Sequence, residues 1–274
     1  MRKVAMTSDN HFDINRVDIA AVVAQQVTYL LTQQVTDYLI AGDLFNDFRE
    51  TVAYVEQMAQ QLQPHCRVFF IAGNHDMVRG TDFSELQSRV NTHYAHQKLI
   101  TFPGTDYVLI GNNGWYDYQF AQLPGKTMTD FAHWKKAFWI DGVIEQPLSD
   151  PERMDLVLAT TEKQLRQAKA QHKKVLFMTH FVPQDAYIIH QQRALLETGN
   201  AYMGSPRLGA LLQQYQVAYV LFGHTHFKYP PHQIAGTTYL CRPVGYGTKR
   251  RHEWRFGRDF ISEWRACLQI LDLT

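Results

Sequence analysis

Cysteine is scarce in this chain. Three residues, Cys66, Cys241 and Cys267, stand far apart. Their odd number and wide spacing match neither a disulfide framework nor a zinc knuckle, so buried, reduced thiols are expected. No apolar run is long enough to span a membrane, and no apolar region of a secretion signal precedes the strand-like Lys3-Val4-Ala5-Met6. The expectation is a cytoplasmic protein with no membrane partner. An excess of one charge is also missing. The formal net charge is +1, which gives no overall nucleic-acid footprint. Gly/Ser-rich linkers, internal repeats and low-complexity tracts are lacking too. A chain of 274 residues, 45% apolar and 19% charged, has the composition of a folded globular protein. The simplest expectation is one domain over 1–274.

Five short polar blocks stand out against this ordinary background. They are Asp9-Asn10-His11, Gly42-Asp43, Gly73-Asn74-His75-Asp76, Thr179-His180 and Gly223-His224-Thr225-His226. Each follows an apolar, β-branched run that reads as a buried strand. The first three strands would be Val4 to Thr7, Asp37 to Ala41 and Val68 to Ala72, with helices over Val17 to Leu31 and Val52 to Leu62 between them. Their polar ends recur about every 30 residues, the length of a crossover unit, so neighbouring parallel strands are expected. Strand ends of an open α/β sheet share one edge, where ligands bind.

Further along, Phe83 to His96 reads as a helix and Tyr107 to Ile110 as a strand. Residues 112–150 and 181–206 read as connections bordering the site, the first holding a short helix near Asp130 to Phe138. A helix then runs from Pro151 to about His172. Val175 to Met178 is a strand, Arg207 to Tyr215 a helix, and Val217 to Phe222 a strand. Thr238 to Arg242 and Ile261 to Leu273 suit strands. Most aromatics between Trp115 and Trp139 are expected in the core, with Trp115-Tyr116-Asp117 bordering the site.

Asp9, His11, Asp43, Asn74, His180, His224 and His226 amount to seven ligand side chains, too many for one metal and suited to two. Asp43 is the natural bridge, because a carboxylate can place one oxygen on each ion. A mixed nitrogen and oxygen set without cysteine favours Mn, Fe, Zn or Co over Mg or Ca. Two divalent ions leave the site positive after Asp9, Asp43 and a bridging hydroxide are counted, so an anion is attracted. Paired metals can hold a phosphoryl group beside a hydroxide nucleophile. His75, turned away from the ligand Asn74 by the peptide geometry, would protonate the departing alkoxide. Asp76 would orient that imidazole. Arg79, Arg193 and Arg242 are candidates for phosphate contacts.

Taken in order, the blocks Asp-x-His, Gly-Asp-x-x-Asn, Gly-Asn-His-Asp, a strand-end His and Gly-His-Thr-His resemble the calcineurin-like metallophosphoesterase family. Asn200-Ala201-Tyr202-Met203-Gly204-Ser205 and the turn Pro243-Val244-Gly245-Tyr246 resemble its small bacterial phosphoesterases. The resemblance implies a four-layer α/β/β/α sandwich, with mixed sheets flanked by helices. It also implies a dinuclear centre of divalent or mixed-valence Mn, Fe or Zn ions. One metal would sit on Asp9, His11, Asp43 and His226, the other on Asp43, Asn74, His180 and His224. His75 would be catalytic, with Asp76 beside it. Gly42-Asp43-Leu44-Phe45-Asn46 lacks the Asp-Arg-Gly continuation of the serine/threonine protein phosphatases. Asp76 replaces their Glu. Both departures favour hydrolysis of a phosphodiester or small phosphorylated metabolite. Two alternatives remain. A nuclease of the same fold would use the basic run Lys249-Arg250-Arg251 with Trp254 and Phe256, although the neutral net charge disfavours nucleic acid. A non-catalytic binding scaffold would tend to lose ligands, whereas all seven are here.

Overall fold

A computed structural model describes residues 2–274. Strands β1 (Arg2–Thr7), β2 (Asp37–Ala41) and β3 (Arg67–Ile71) lie parallel and adjacent, with the C-terminal strand β10 (Gln269–Leu273) antiparallel on β1. The second sheet has the order β4 (Lys98–Thr101), β5 (Tyr107–Gly111), β6 (Lys174–Met178), β7 (Tyr219–Leu221), β9 (Thr237–Leu240), β8 (His232–Ile234). Its middle strands β5, β6, β7 and β9 are parallel, and the edge strands β4 and β8 are antiparallel.

Alternation explains why the strands read as continuous apolar runs. Val4, Met6, Leu39, Ala41 and Ile71 meet Leu109, Leu176, Met178, Leu221 and Leu240 in a core between the two sheets. Their neighbours Ala5, Tyr38, Ile40, Val108, Ile110 and Phe177 point to the outer faces, under the helices. Both faces of the parallel strands are therefore largely dry, as buried parallel sheets require, while the antiparallel edge strands β4, β8 and β10 are partly exposed. The outer layers are built from α1 (Phe12–Asn15), α2 (Ile19–Thr32), α3 (Phe48–Leu62), α4 (Phe83–Leu86), α5 (Met128–Phe138), α6 (Asp150–Ala170), α7 (Ala194–Asn200), α8 (Pro206–Gln214) and α9 (Phe260–Cys267). This is the expected α/β/β/α sandwich of mixed sheets.

Two expected elements differ. Phe83 to His96 is one helical turn, α4, followed by turns. Its residues Leu86, Val90 and Tyr94 imitate a helical stripe, but Asn91 accepts hydrogen bonds from the His93 and Tyr94 N–H groups and ends the helix there. Tyr94 then bridges Phe70, which adds the segment to the edge of β3. Ile261 to Leu273 is half helix. Asp259 caps α9 through a reciprocal bond pair with Ser262, and Phe260, Ile261, Trp264 and Cys267 fill its buried face. Within this stretch the strand is β10, Gln269–Leu273, paired with β1. Among the described residues no helix is long and apolar enough to cross a membrane.

Candidate metal centre

Every polar block sits where a parallel strand ends. Backbone bonds tie the ends together: Asp9 N to Gly42 O, His11 N to Asp43 O, Thr179 N to Leu221 O and Gly223 N to His180 O. The backbone turns left-handed at Asp9, His11, Asp43, His224 and His226, with φ between 43° and 70°. Such φ values are uncommon outside glycine and cluster where function fixes the geometry. Here they swing residues two apart, Asp9 with His11 and His224 with His226, toward one point.

Two groups of ligand atoms result. Asp9, His11, Asp43 and His226 form one, and Asp43, His180 and His224 the other, with atoms in each group within 4.8 Å of one another. Asn74 joins the second group, its Oδ1 lying 3.1 Å from His180 Nε2. In the first, His11 Nε2 and His226 Nε2 are 3.1 Å apart and His226 Nε2 is 3.4 Å from Asp9 Oδ1. Ligands about 2.1 Å from a shared cation are separated by such distances.

Asp43 presents one oxygen, Oδ2, to both groups, where one oxygen for each was expected. Its Oδ1 accepts the His75 N–H at 2.9 Å. Its Oδ2 lies 3.7 Å from His11 Nε2 and 3.2 Å from His180 Nε2, is buried, and accepts no hydrogen bond. A buried carboxylate oxygen with no donor is costly. Cations on either side would satisfy it, so the residues present fit a dinuclear centre.

The far nitrogens of the rings are already engaged. His180 Nδ1–H donates to Ala41 O at 2.8 Å, His224 Nε2–H to Tyr202 O at 3.1 Å, and His226 Nδ1–H to Glu253 Oε2 at 2.6 Å. Each bond turns the other nitrogen of its ring toward the cluster. Charge is arranged to match. Burial opposes a charge on His180, yet Asp43 outweighs it and lifts the imidazole to about 10. Burial likewise opposes charge on His226, where Asp9 and Glu253 raise it to about 9. Burial raises Asp9, but the His226 hydrogen bond and the neighbouring imidazoles bring it down to about 2. The carboxylates thus favour positive charge in the space between the rings.

His75 stands outside both groups. Its Nδ1 lies 2.6 Å from Asn46 Oδ1, and its Nε2 faces the cavity, 3.5 Å from the Tyr246 hydroxyl. Asp76 makes no hydrogen bond to the imidazole, contrary to expectation. Its carboxylate accepts from the N–H groups of Asp43, Leu44, Phe45 and Gly73, and from Thr51 Oγ1. Those donors surround the loop that delivers Asp43, so Asp76 clamps that loop to the one bearing Asn74. Burial and the Asp43 charge push Asp76 up to about 6 against the pull of its donors.

The cavity over the centre holds about 320 Å³. Trp139, Ile140 and Met203 form one wall, and Tyr246 and Arg251 another. Trp115, Tyr116 and Asp117, at the start of the 112–150 connection, are buried and do not line the cavity. Arg79, Arg193 and Arg242 are not among its lining residues; Arg251 is, with its guanidinium 4.8 Å from the Tyr246 ring centre. Asn46, Glu253, Arg251 and Tyr246 were missed as site residues. Asn46 closed the Gly42–Asn46 block, Tyr246 ended the Pro243–Tyr246 turn and Arg251 ended the basic run Lys249-Arg250-Arg251, whereas Glu253 carried no local signal.

Paired strand-end ligand sets on this sandwich define a phosphoester hydrolase of the two-metal kind. The sequence model for calcineurin-like phosphoesterases matches residues 2–228, and the chain belongs to that family. It is a dinuclear metal-dependent phosphoric ester hydrolase. Similar solved structures include a phosphopantetheinyl hydrolase from Mycobacterium tuberculosis, 14% identical with a TM-score of 0.69, covering 98% of this chain and 95% of that one. A dimetal phosphatase from Danio rerio is also 14% identical, with a TM-score of 0.54, covering 88% of this chain and 87% of the other. Among curated proteins no sequence matches. Tyr246, Arg251 and Glu253 lie beyond the matched residues.

Proposed function

We propose that the chain hydrolyses a small phosphodiester or phosphorylated metabolite, with Asp9, His11, Asp43 and His226 holding one metal ion and Asp43, Asn74, His180 and His224 the other. The observation that carries this reading is the donorless Asp43 Oδ2 between His11 and His180. When bound, two such ions lower the pKa of water and neutralise phosphoryl oxygens. The protein's own groups do the rest. Asn46 accepts the His75 Nδ1–H and fixes the ring, so Nε2 aims into the cavity. A proton on His75 Nε2 would pass to the departing oxygen while Nδ1–H keeps its bond to Asn46.

The cavity supports a small substrate. Its volume falls at the low end for small-molecule sites, about 300–1,000 Å³. The Trp139–Ile140–Met203 wall favours a leaving group with carbon skeleton, and Arg251 favours an anion. The three cysteines are free and buried, which suits a reducing compartment such as the cytoplasm.

The test is an activity screen of the Mn²⁺-loaded protein over phosphomonoesters, cyclic nucleotides, linear diesters, a phosphopantetheinyl ester and single-stranded DNA. The expected result is turnover of a low-molecular-weight ester, lost in Asp43→Ala. Cleavage of DNA alone would replace this reading with the nuclease one. Fewer than one bound metal per chain, with no turnover, would leave the scaffold.

A further inference from the structure

Asp141 belongs to none of the polar blocks. It sits in the 3₁₀ turn Ile140–Val143 that ends the helical part of the 112–150 connection, and it is fully buried. Its Oδ1 accepts a hydrogen bond from Asn74 Nδ2 at 2.7 Å. Its Oδ2 has no hydrogen-bond partner. The same turn brings Ile140, beside Trp139, to the cavity wall.

An amide has two unlike ends. Asn74 can face the second ligand group with its carbonyl oxygen or with its NH2, and only the oxygen can bind a cation. A carboxylate accepts and does not donate. Placed against Asn74, it draws the NH2 to itself and leaves Oδ1 on the opposite side, 3.1 Å from His180 Nε2. The flipped amide would set oxygen against oxygen at Asp141 and N–H against a cation at the centre. Both contacts are repulsive, so the two effects select one orientation.

We propose that Asp141 is a positioning residue for the second metal: it holds the Asn74 carbonyl toward His180 and His224 and adds negative charge behind it. The inference rests on the reading of Asn74 as a ligand. It also ties the 112–150 connection to the metal centre. Trp139 stacks on Tyr202 with ring centres 5.2 Å apart, and Tyr202 O receives the His224 Nε2–H. One segment therefore borders the substrate cavity and braces two ligands of the same ion.

The experiment is Mn²⁺ titration of the full chain, followed by calorimetry and by electron paramagnetic resonance. The resonance spectrum separates a spin-coupled pair from a single ion. Wild type should bind two ions and show the coupled signal. Asp141→Leu should keep the first ion with unchanged affinity and lose about ten- to hundredfold at the second, as removal of an outer partner commonly does. Its spectrum at moderate Mn²⁺ should be that of a lone ion. Asp141→Asn retains an acceptor oxygen and the native shape, and should lose affinity at the second site only, by less than Asp141→Leu does. If Asp141→Leu does not fold, Asp141→Asn decides. Unchanged second-site affinity in the variants, or an equal loss at both sites, would overturn the proposal. A wild type that binds fewer than two ions would instead overturn the ligand reading beneath it.

Discussion

The Asp76 carboxylate accepts from four backbone N–H groups and one hydroxyl. An amide in its place would turn an NH2 toward donors. Asp76→Asn should therefore cost about 3 kcal/mol of stability, a hydrogen-bonded buried charge being replaced by a mismatched dipole. His75→Asn should leave the denaturation midpoint nearly unchanged and lower turnover about 10²–10⁴-fold, the contribution of a general acid. Its loss should be greatest with poor leaving groups and smallest with aryl esters, which need no proton. Equal loss with both kinds of ester would sink the general-acid role. The two neighbours in sequence thus separate into a structural clamp and the proposed proton donor. Adjacency in the block Asn74-His75-Asp76 did not reveal this, because consecutive residues at a strand end point to different sides. Asn46, 29 residues from His75, is the side chain that holds the imidazole.

Strand ends carry most of the site because each gives one loop a fixed origin. The parallel strands were legible because both of their faces are apolar, leaving unbroken runs that stop abruptly at a polar block. The stretch from Phe83 and the stretch from Ile261 were harder. In the first, a four-residue spacing copies a helix that Asn91 interrupts. In the second, a helix and a strand share thirteen residues, each too short to set a clear period. At the block ends, glycine is required by close approach. A Cβ on Gly73 would lie 2.1 Å from Asp43 Oδ1. Gly73→Ala should displace the bridging carboxylate, costing about 1–3 kcal/mol of stability by overpacking and reducing the metal bound per chain. Gly104 is the matched control. Nothing lies within 4 Å of its added Cβ, although its φ is +78°. Gly104→Ala should cost about 1 kcal/mol from backbone strain and leave metal content at the wild-type level. Denaturant titration with metal analysis separates the two outcomes.

Across the whole molecule, the seven candidate ligands come from five loops, and their order along the chain made the proposed centre readable. The groups behind them were not readable. Asp141 is 67 residues from Asn74, and Glu253 is 27 residues from His226; only the packed fold brings them together. The same packing buries titratable groups whose protons couple folding to pH. His96 lies outside the centre, accepts the Asn113 N–H at Nδ1, and is depressed by burial, and further by Arg153, to about 3. Below its ordinary value of 6.5 the unfolded chain binds a proton that the folded chain refuses. Its contribution to stability is therefore complete above pH 6.5 and declines as the pH falls toward 3, at about 1.4 kcal/mol per pH unit per proton. Asp76 and Asp141, each pushed up to about 6 chiefly by burial, act in the opposite sense. Folded, they take up protons between about pH 6 and 4, before the unfolded chain does, and that uptake favours the fold as acid is added. The measured slope is the difference of these terms. His96→Gln removes one of them alone. It should be less stable than wild type at pH 7.5, where the Asn113 N–H loses its well-placed acceptor, and should lose less stability between pH 6 and 4. Urea titrations of both proteins at half-unit pH steps test this; parallel pH curves would show that His96 takes up its proton inside the fold.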